Sequence, residues 1–168
     1  HLSGRSGNTI KNCTISDFQY GIYLENSSNN NLTDLVVTSN YDGIRVYGSS
    51  NNNTITNSNV DGNSDIGIYL YNNPSNNQIS SSTANGNRIG FYLNMVSDNQ
   101  IINSIAQDNF PYDLYVYGSV NSHCNNTISN LTGSGNRPIK YFNSTTTLEN
   151  ETLSELVLCN ADNSNFKN

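Results

Sequence analysis

Four aspartates are the residues whose type and spacing best suit acid–base chemistry. They recur near one point of a repeating pattern, at Asp42, Asp65, Asp108 and Asp113. Paired carboxylates cleave glycosidic bonds, and like charges one repeat apart raise each other's pKa. The repeat after Asp65 has Arg88 in place of a third carboxylate, and no histidine accompanies the set. Because Asp also suits turns, we expect these residues to be structural and predict no catalytic residue.

Tyrosines form two rows with a spacing of 22 to 25 residues. Residues two apart in a strand point to the same side, so we expect both rows on one exposed face. Tyrosine rings stack on sugars and are enriched in protein interfaces. They also suit strands without any such role, since stacked side chains contribute about 0.2–1 kcal/mol per pair. The candidate binding residues are Tyr23, Arg45, Tyr47, Tyr69, Tyr71, Tyr92, Tyr115 and Tyr117, and the two rows end at Lys140 and Phe142.

The three cysteines lack the spacing of a metal site and allow at most one disulfide. Cys13 aligns with residues expected to face inward, so we predict a buried free thiol. Cys124 and Cys159 fall in neighbouring repeats, three alignment positions apart. We predict that they form a disulfide, which closes a loop and contributes roughly 3–4 kcal/mol.

The chain also has eight Asn-X-Ser/Thr sequons. Many arise by chance in a chain with 34 Asn and 23 Ser, so the sequons are weak evidence of glycosylation. The candidate glycosylation sites are Asn26, Asn52, Asn125, Asn143 and Asn150.

Charge and composition exclude several classes of partner. The net charge is −6 and no basic run occurs, which argues against nucleic acid. No apolar stretch approaches the roughly 18 residues of a membrane span. His1, His123 and Met95 lie at unrelated points of the repeat, so we expect no metal site and no cofactor.

Two columns of apolar residues define the repeat that positions these side chains. The first column has spacings of 22, 23, 24, 22 and 27 residues and consists of Ile10, Leu32, Ile55, Ile79, Ile101 and Ile128. The second column stays in phase with it and consists of Ile22, Ile44, Ile68, Phe91, Leu114 and Ile139. Around both columns the apolar residues alternate with a period of two, as in strands, and no helical period occurs.

Short strands in a repeat of this length bury their apolar stripe only by stacking in parallel, one repeat on the next. The sequence therefore predicts an all-β right-handed parallel β-helix of about six to seven coils, with 22–24 residues per coil. Asparagines recur two and eight residues after the first column, where the coil must turn a corner. Asn tolerates left-handed backbone, and stacked amides can bond as a ladder.

We expect residues 1–168 to form a single β-helix domain, with a polar loop insertion near 143–155 that interrupts the repeat. The chain opens in mid-strand at His1 and closes at Asn168 inside a restored repeat, with no recognisable cap at either end. It is therefore expected to be part of a longer array, or to meet another copy head-to-tail through unpaired strand edges.

The repeats starting at Asn52 (NNTITNSNVDGN) and Asn76 (NNQISSSTANGN) resemble those of parallel β-helix proteins from archaeal and bacterial cell surfaces. They are similar to the group of carbohydrate-binding proteins and sugar hydrolases that includes periplasmic copper-processing proteins. The segment from Tyr141 to Ser164 is similar to a stretch found in methanogen surface proteins. The resemblance covers nearly the whole chain and is specific for the fold, but says little about activity.

Together these observations favour a non-catalytic extracellular or cell-surface protein, a component of an envelope, sheath, S-layer or filament. Its expected partners are other copies, through head-to-tail or lateral assembly, or other surface proteins. A carbohydrate-binding module that uses the same tyrosines on a polysaccharide is one alternative. A polysaccharide hydrolase or lyase of the β-helix class is the other.

Overall fold

The structure is a computed structural model that describes residues 1–167; Asn168 lies outside the described residues. It contains short strands and two 3₁₀ turns, at Asn121–Cys124 and Ser134–Asn136. The strands are β1 (Leu2–Ser3), β2 (Thr9–Lys11), β3 (Thr14–Ile15), β4 (Tyr20–Glu25), β5 (Asn31–Thr33), β6 (Val36–Val37), β7 (Asp42–Tyr47), β8 (Thr54–Thr56), β9 (Ile66–Tyr71), β10 (Gln78–Ser80), β11 (Ile89–Asn94), β12 (Gln100–Ile105), β13 (Tyr112–Tyr117), β14 (Thr127–Gly133), β15 (Arg137–Phe142), β16 (Thr147–Glu149), β17 (Glu155–Leu158) and β18 (Asn165–Lys167).

Two parallel sheets form the solenoid, and each coil contributes one strand to each. Sheet A has six strands in the order β1-β4-β7-β9-β11-β13. Sheet B has eight strands, of which β2, β5, β8, β10, β12 and β14 follow the coils in parallel. The strands pair in register, so both predicted columns are aligned coil over coil, the first throughout and the second from Ile22 to Leu114. The predicted parallel β-helix is confirmed.

The core lies between the sheets and consists of the two columns and the small or aliphatic residues that alternate with them. Phe91 is the largest fully buried side chain in the described residues, and Val60, Ala84 and Ala106 fill the third side of the coil. Each side chain packs mainly against its counterparts one coil above and below, as in other repeat proteins.

Left-handed residues turn the corner after the first column. The backbone φ angle at this position lies between 48° and 54° in every coil, at Asn12, Asp34, Asn57, Ser81, Asn103 and Asn130. Short polar side chains tolerate this conformation at the lowest cost, which explains the polar residue found there in each repeat.

Two asparagine ladders run along the solenoid inside the corners. In the first ladder, the side-chain oxygen of each residue accepts the backbone and side-chain N–H groups of its counterpart one coil before; the ladder consists of Asn8, Asn30, Asn53, Asn77, Asn99 and Asn126. The second ladder repeats this pattern and consists of Asn40, Asn63, Asn87 and Asn109. Its last acceptor is Asp113, which accepts both N–H groups of Asn109. The second ladder stands at the predicted position eight residues past the first column, whereas the first ladder lies two residues before it.

The solenoid pattern ends after β14, and the prediction for Ile139 is wrong. The 3₁₀ turn Ser134–Asn136, with Gly135 at φ 70°, reverses the chain so that β15 pairs antiparallel with β14. Ile139 therefore lies opposite Leu131 in sheet B and does not continue the second column. Lys140 and Phe142 also lie outside the expected rows, because their strand, β15, belongs to sheet B and pairs there in parallel with β17.

The predicted insertion at 143–155 contains β16, which pairs with β18 in a separate two-stranded sheet. At the C-terminal end of sheet A, β17 lies beside the last strand, β13, without pairing to it, and Glu155 accepts hydrogen bonds from the backbone N–H groups of Asp113 and Leu114. Cys13 is not buried as predicted: it is exposed, whereas Leu35, its counterpart in the next coil, is buried.

Candidate functional site: the tyrosine face

The outer surface of sheet A carries a continuous set of aromatic rings. In β7, Ile44 and Val46 point into the core, so the residues between and after them, Arg45 and Tyr47, point outward. The other strands of sheet A repeat this alternation. We call this surface the tyrosine face; it consists of Tyr20, Tyr23, Arg45, Tyr47, Tyr69, Tyr71, Tyr92, Tyr112, Tyr115 and Tyr117.

Ring contacts link the face from one end of the sheet to the other. His1 stacks on Tyr23 with ring centroids 4.8 Å apart. The centroid distances between successive tyrosines then range from 4.5 to 6.4 Å, along Tyr20, Tyr23, Tyr47, Tyr71, Tyr69, Tyr92, Tyr115 and Tyr112. Tyr69 and Tyr92 are nearly parallel, at 10°. In such stacked pairs each ring covers a face of its neighbour, and the hydroxyl group of Tyr69 accepts a hydrogen bond from the Asn94 side chain at 3.0 Å.

The rings are less exposed than the sequence predicted. Tyr69 is only 8% exposed, because it packs with Ile66 and Ile89 in a second apolar cluster on the outside of sheet A. Tyr112 and Tyr117 are the most exposed rings of the face, at 43% and 48%. The accessible part of the face therefore lies toward β13.

Sequence reasoning missed Tyr20 and Tyr112, which stand two residues before the second column. Period-two alternation places this column on the inner side, and two of its members are isoleucines; it reads Tyr20, Asp42, Ile66, Ile89 and Tyr112. This column belongs to the outer surface and widens the tyrosine face to three rows.

Arg45 occupies the only non-aromatic position of the candidate binding residues. Its guanidinium carbon lies 4.6 Å from the ring centroid of Tyr20, 5.2 Å from that of Tyr69 and 4.9 Å from that of Tyr71. One guanidinium nitrogen is 3.6 Å from a carboxylate oxygen of Asp42. Because this charge is held by three rings and a carboxylate, Arg45 organises the centre of the face and is not a free cation.

Burial raises the pKa of two phenols near the middle of the face. It raises the pKa of Tyr23 to about 12, with smaller contributions from Tyr71 and Glu25. Burial likewise raises the pKa of Tyr92 to about 12, with contributions from Tyr69 and Tyr115. The hydroxyl groups of Tyr23 and Tyr92 are therefore neutral at physiological pH and can donate hydrogen bonds.

The aspartates considered for catalysis have structural surroundings. Asp42 is buried, bonds the backbone N–H of Ile66 and pairs with Arg45; burial is the main cause of its raised pKa. Asp65 pairs with Arg88. Asp113 accepts hydrogen bonds from the second ladder and from the backbone N–H of Ser134.

Asp108 is exposed at a left-handed corner, with φ 58°. Within residues 1–167 no cluster of three His, Cys, Asp or Glu side chains could hold a metal ion.

The remaining predicted residues lie away from the tyrosine face. Cys124 and Cys159 form a disulfide with sulfur atoms 2.03 Å apart. The five candidate glycosylation asparagines are all exposed: Asn26, Asn52, Asn125, Asn143 and Asn150. No helix in the described part of the chain is long and apolar enough to cross a membrane.

Comparison with known families agrees with this architecture. The family described as right handed beta helix region matches residues 1–154, and the chain belongs to it. No curated protein matches the chain, and no solved structure does.

Proposed function

We propose that this protein is a non-catalytic component of a cell surface or extracellular assembly, and that it makes its contacts through the tyrosine face. The continuous stack of rings on one side of a rigid solenoid is the observation that supports this proposal most directly. Tyrosine supplies a large contact area and a hydroxyl group at little cost in side-chain entropy, which suits an interface.

The covalent features support an extracellular location. Disulfides persist in oxidising compartments, and Cys124 and Cys159 are bonded. The sequon asparagines are exposed, so they are accessible to glycosylation, which is a surface modification of secreted proteins. The low charge and abundant amides also suit a rigid surface scaffold.

The geometry favours lateral contacts over head-to-tail contacts at the C-terminal coil. Head-to-tail stacking needs a free strand edge there, but Glu155 already bonds the backbone of β13. The tyrosine face extends along the side of the solenoid, so another copy or another surface protein can reach it without displacing that contact.

Carbohydrate binding is the second candidate, and the exposed rings of Tyr112 and Tyr117 favour it. Most rings of the face cover each other, so they leave little flat surface for a sugar. Tyr112 and Tyr117 are the first and last residues of β13, and each lines one of two grooves that share Val116 and Leu158. The hydrolase or lyase alternative has less support, because Asp42, Asp65 and Asp113 all bind structural partners.

The test replaces Tyr112 and Tyr117 by alanine in one chain, with Tyr41→Ala as the matched control. Tyr41 is 53% exposed and lies outside the face. We expect the double variant to weaken self-association or polysaccharide binding at least about tenfold, as loss of a central aromatic contact typically does. Sedimentation measures the first and titration with soluble polysaccharides the second. Equal behaviour of the double variant and Tyr41→Ala would contradict the proposed contact surface.

A further inference from the structure

The tyrosine face has a stacked pair of rings at its accessible end. Tyr112 and Tyr115 both belong to β13, and their ring centroids lie 4.9 Å apart with an angle of 13° between the planes. Tyr112 is 43% exposed, and both residues line an open groove whose other wall includes Leu156 and Leu158. Small molecules in solution can therefore reach the pair.

The next ring along the stack is more confined than Tyr112. Tyr92 contacts Tyr115 on one side, with centroids 4.8 Å apart, and Tyr69 on the other, with centroids 4.7 Å apart. Burial raises the pKa of Tyr92 to about 12, so this phenol loses its proton less readily than an exposed one. Among the described residues, Tyr112 stacks on the ring of Tyr115 alone, so it has more freedom to turn.

Stacked phenols can be joined by oxidation. A phenol that gives up one electron and one proton becomes a phenoxyl radical, whose unpaired electron is shared with the ring carbons next to the oxygen. Two such radicals combine through a carbon–carbon bond when their rings touch. Groups that are held in contact react as if at very high concentration, so a stacked pair is favoured over rings that must meet by diffusion.

We propose that Tyr112 and Tyr115 form an oxidative modification site, where a peroxidase that uses hydrogen peroxide joins the two rings covalently. Each phenol loses one electron and one proton, and the two phenoxyl radicals form a bond between one Cε carbon of each ring. The hydrogen on each bonded carbon then moves as a proton to the phenolic oxygen, which restores both hydroxyl groups. Hydrogen peroxide accepts the two electrons and two protons and becomes two water molecules.

Exposure alone does not select this pair. Tyr41 and Tyr117 are 53% and 48% exposed, so an oxidant reaches them at least as easily as Tyr112. Among the described residues, neither of these two rings stacks on another ring, whereas Tyr112 stacks on Tyr115. A radical at Tyr41 or Tyr117 therefore has no stacked partner in the same chain, and only the pair in β13 combines access with contact.

The cross-link changes the tyrosine face within one chain. It ties the exposed ring of Tyr112 to Tyr115, which also contacts Tyr92 in the neighbouring strand. The accessible end of the face then becomes a fixed part of the stack. Because the reaction requires neither a second copy nor a polysaccharide, it does not depend on the contacts proposed above.

The experiment uses the full chain with Cys13→Ser, because hydrogen peroxide also oxidises the exposed thiol of Cys13. Dilute protein is treated with a peroxidase and hydrogen peroxide. Mass spectrometry of the intact chain detects the loss of two hydrogen atoms, and fragmentation of the peptide that contains residues 112–115 locates the bond. Oxidation of Met95 adds an oxygen atom and is thereby distinguished. Amide hydrogen exchange at β7 and β9 checks that the solenoid stays folded.

We expect the intrachain cross-link to join Tyr112 and Tyr115. Tyr112→Phe keeps the ring but removes the phenol, so the yield of this cross-link should fall at least about tenfold. The matched controls Tyr41→Phe and Tyr117→Phe remove phenols that are at least as exposed, and they should leave the yield unchanged. A folded chain that loses no hydrogen atoms, cross-links only between chains or only from Tyr92 to Tyr115, or an unchanged yield in Tyr112→Phe would each overturn the proposal.

Discussion

At the scale of single residues, asparagine has two distinct structural uses in this protein. At the corners it takes left-handed backbone angles and stays exposed, as at Asn57. In the ladders it is buried, and both ends of its amide are bonded, as at Asn77. The corner use could be predicted from spacing alone. The ladder before the first column could not, because the sequence does not tell which amides of an Asn-rich tetrad turn inward.

Removal of one amide from a ladder should destabilise the fold far more than removal of an exposed one. The side-chain oxygen of Asn77 accepts both the backbone and the side-chain N–H of Asn53, at 2.9 and 3.0 Å. Asn77→Ala leaves these buried donors without partners, which costs roughly 1–3 kcal/mol for each. We expect a loss of about 2–5 kcal/mol in chemical denaturation. Gln78→Ala, at an exposed position of β10, should cost less than about 0.5 kcal/mol; similar losses in both variants would refute the ladder's energetic role.

Asp42 should make the stability of the fold depend on pH in the acid range. Burial is the main reason why the folded-state pKa of Asp42 lies above its ordinary value of 3.8. The folded protein therefore binds this proton more tightly than the unfolded chain. The contribution of Asp42 to stability is consequently largest below pH 3.8 and falls as the pH rises through the raised pKa.

Thermal unfolding of the wild type and of Asp42→Asn, measured from acid to neutral pH, isolates the contribution of the Asp42 carboxyl group to stability. The stability difference, wild type minus variant, should shrink as the pH rises from about 3 towards neutrality. A difference that grows with pH would show that pairing with Arg45 outweighs burial, and the assigned direction would be wrong.

At the scale of elements, sheet A departs from simple alternation. Gly43 and Ile44 both face the interior: a Cβ atom at Gly43 would lie 2.3 Å from a methyl group of Val60 and 2.6 Å from the carbonyl oxygen of Gly67. The residue before the glycine therefore returns to the outer side, where Asp42 meets Arg45. Strict period-two reasoning could not place this column outside, which is why Tyr20 and Tyr112 were missed.

The exposure of the tyrosine face illustrates a second limit of sequence reasoning. Alternation correctly predicts that Tyr69 points away from the core, but neighbouring side chains then determine how much solvent reaches it. Ile66, Ile89 and the adjacent rings cover it almost completely. The direction of a side chain follows from the strand, whereas its accessibility depends on contacts among several strands.

The C-terminal strands were the hardest element to predict. The aliphatic run Leu156–Leu158 matches the repeat, and its alternation identifies a strand. The partner of that strand depends on the reversal at Ser134–Asn136, which a repeat alignment does not reveal. As a result β17 lies beside β13 without pairing to it, although the periodicity suggested one more coil.

At the scale of the whole molecule, stability is distributed along one dimension. Within residues 1–167 each coil contacts only its neighbours, so the central coils are supported from both sides and the coil that contains Ile10 packs against the second coil. Ile68 is 1% exposed, whereas Ile10, which occupies the first column in the first coil, is half-buried. The same chemical change should therefore have different consequences at these two positions.

Ile68→Ala removes buried methyl groups from the middle of the stack, and we expect it to cost about 2–5 kcal/mol and to destabilise every coil together. Ile10→Ala should cost less and act locally, with faster amide exchange in β2 and β5 and unchanged exchange from β9 onwards. Chemical denaturation measures the first effect and site-resolved hydrogen exchange the second. A nearest-neighbour stack confines the damage to the coils that lose contacts. Faster exchange along the entire solenoid in Ile10→Ala would therefore contradict this prediction and show that the coils unfold as one unit.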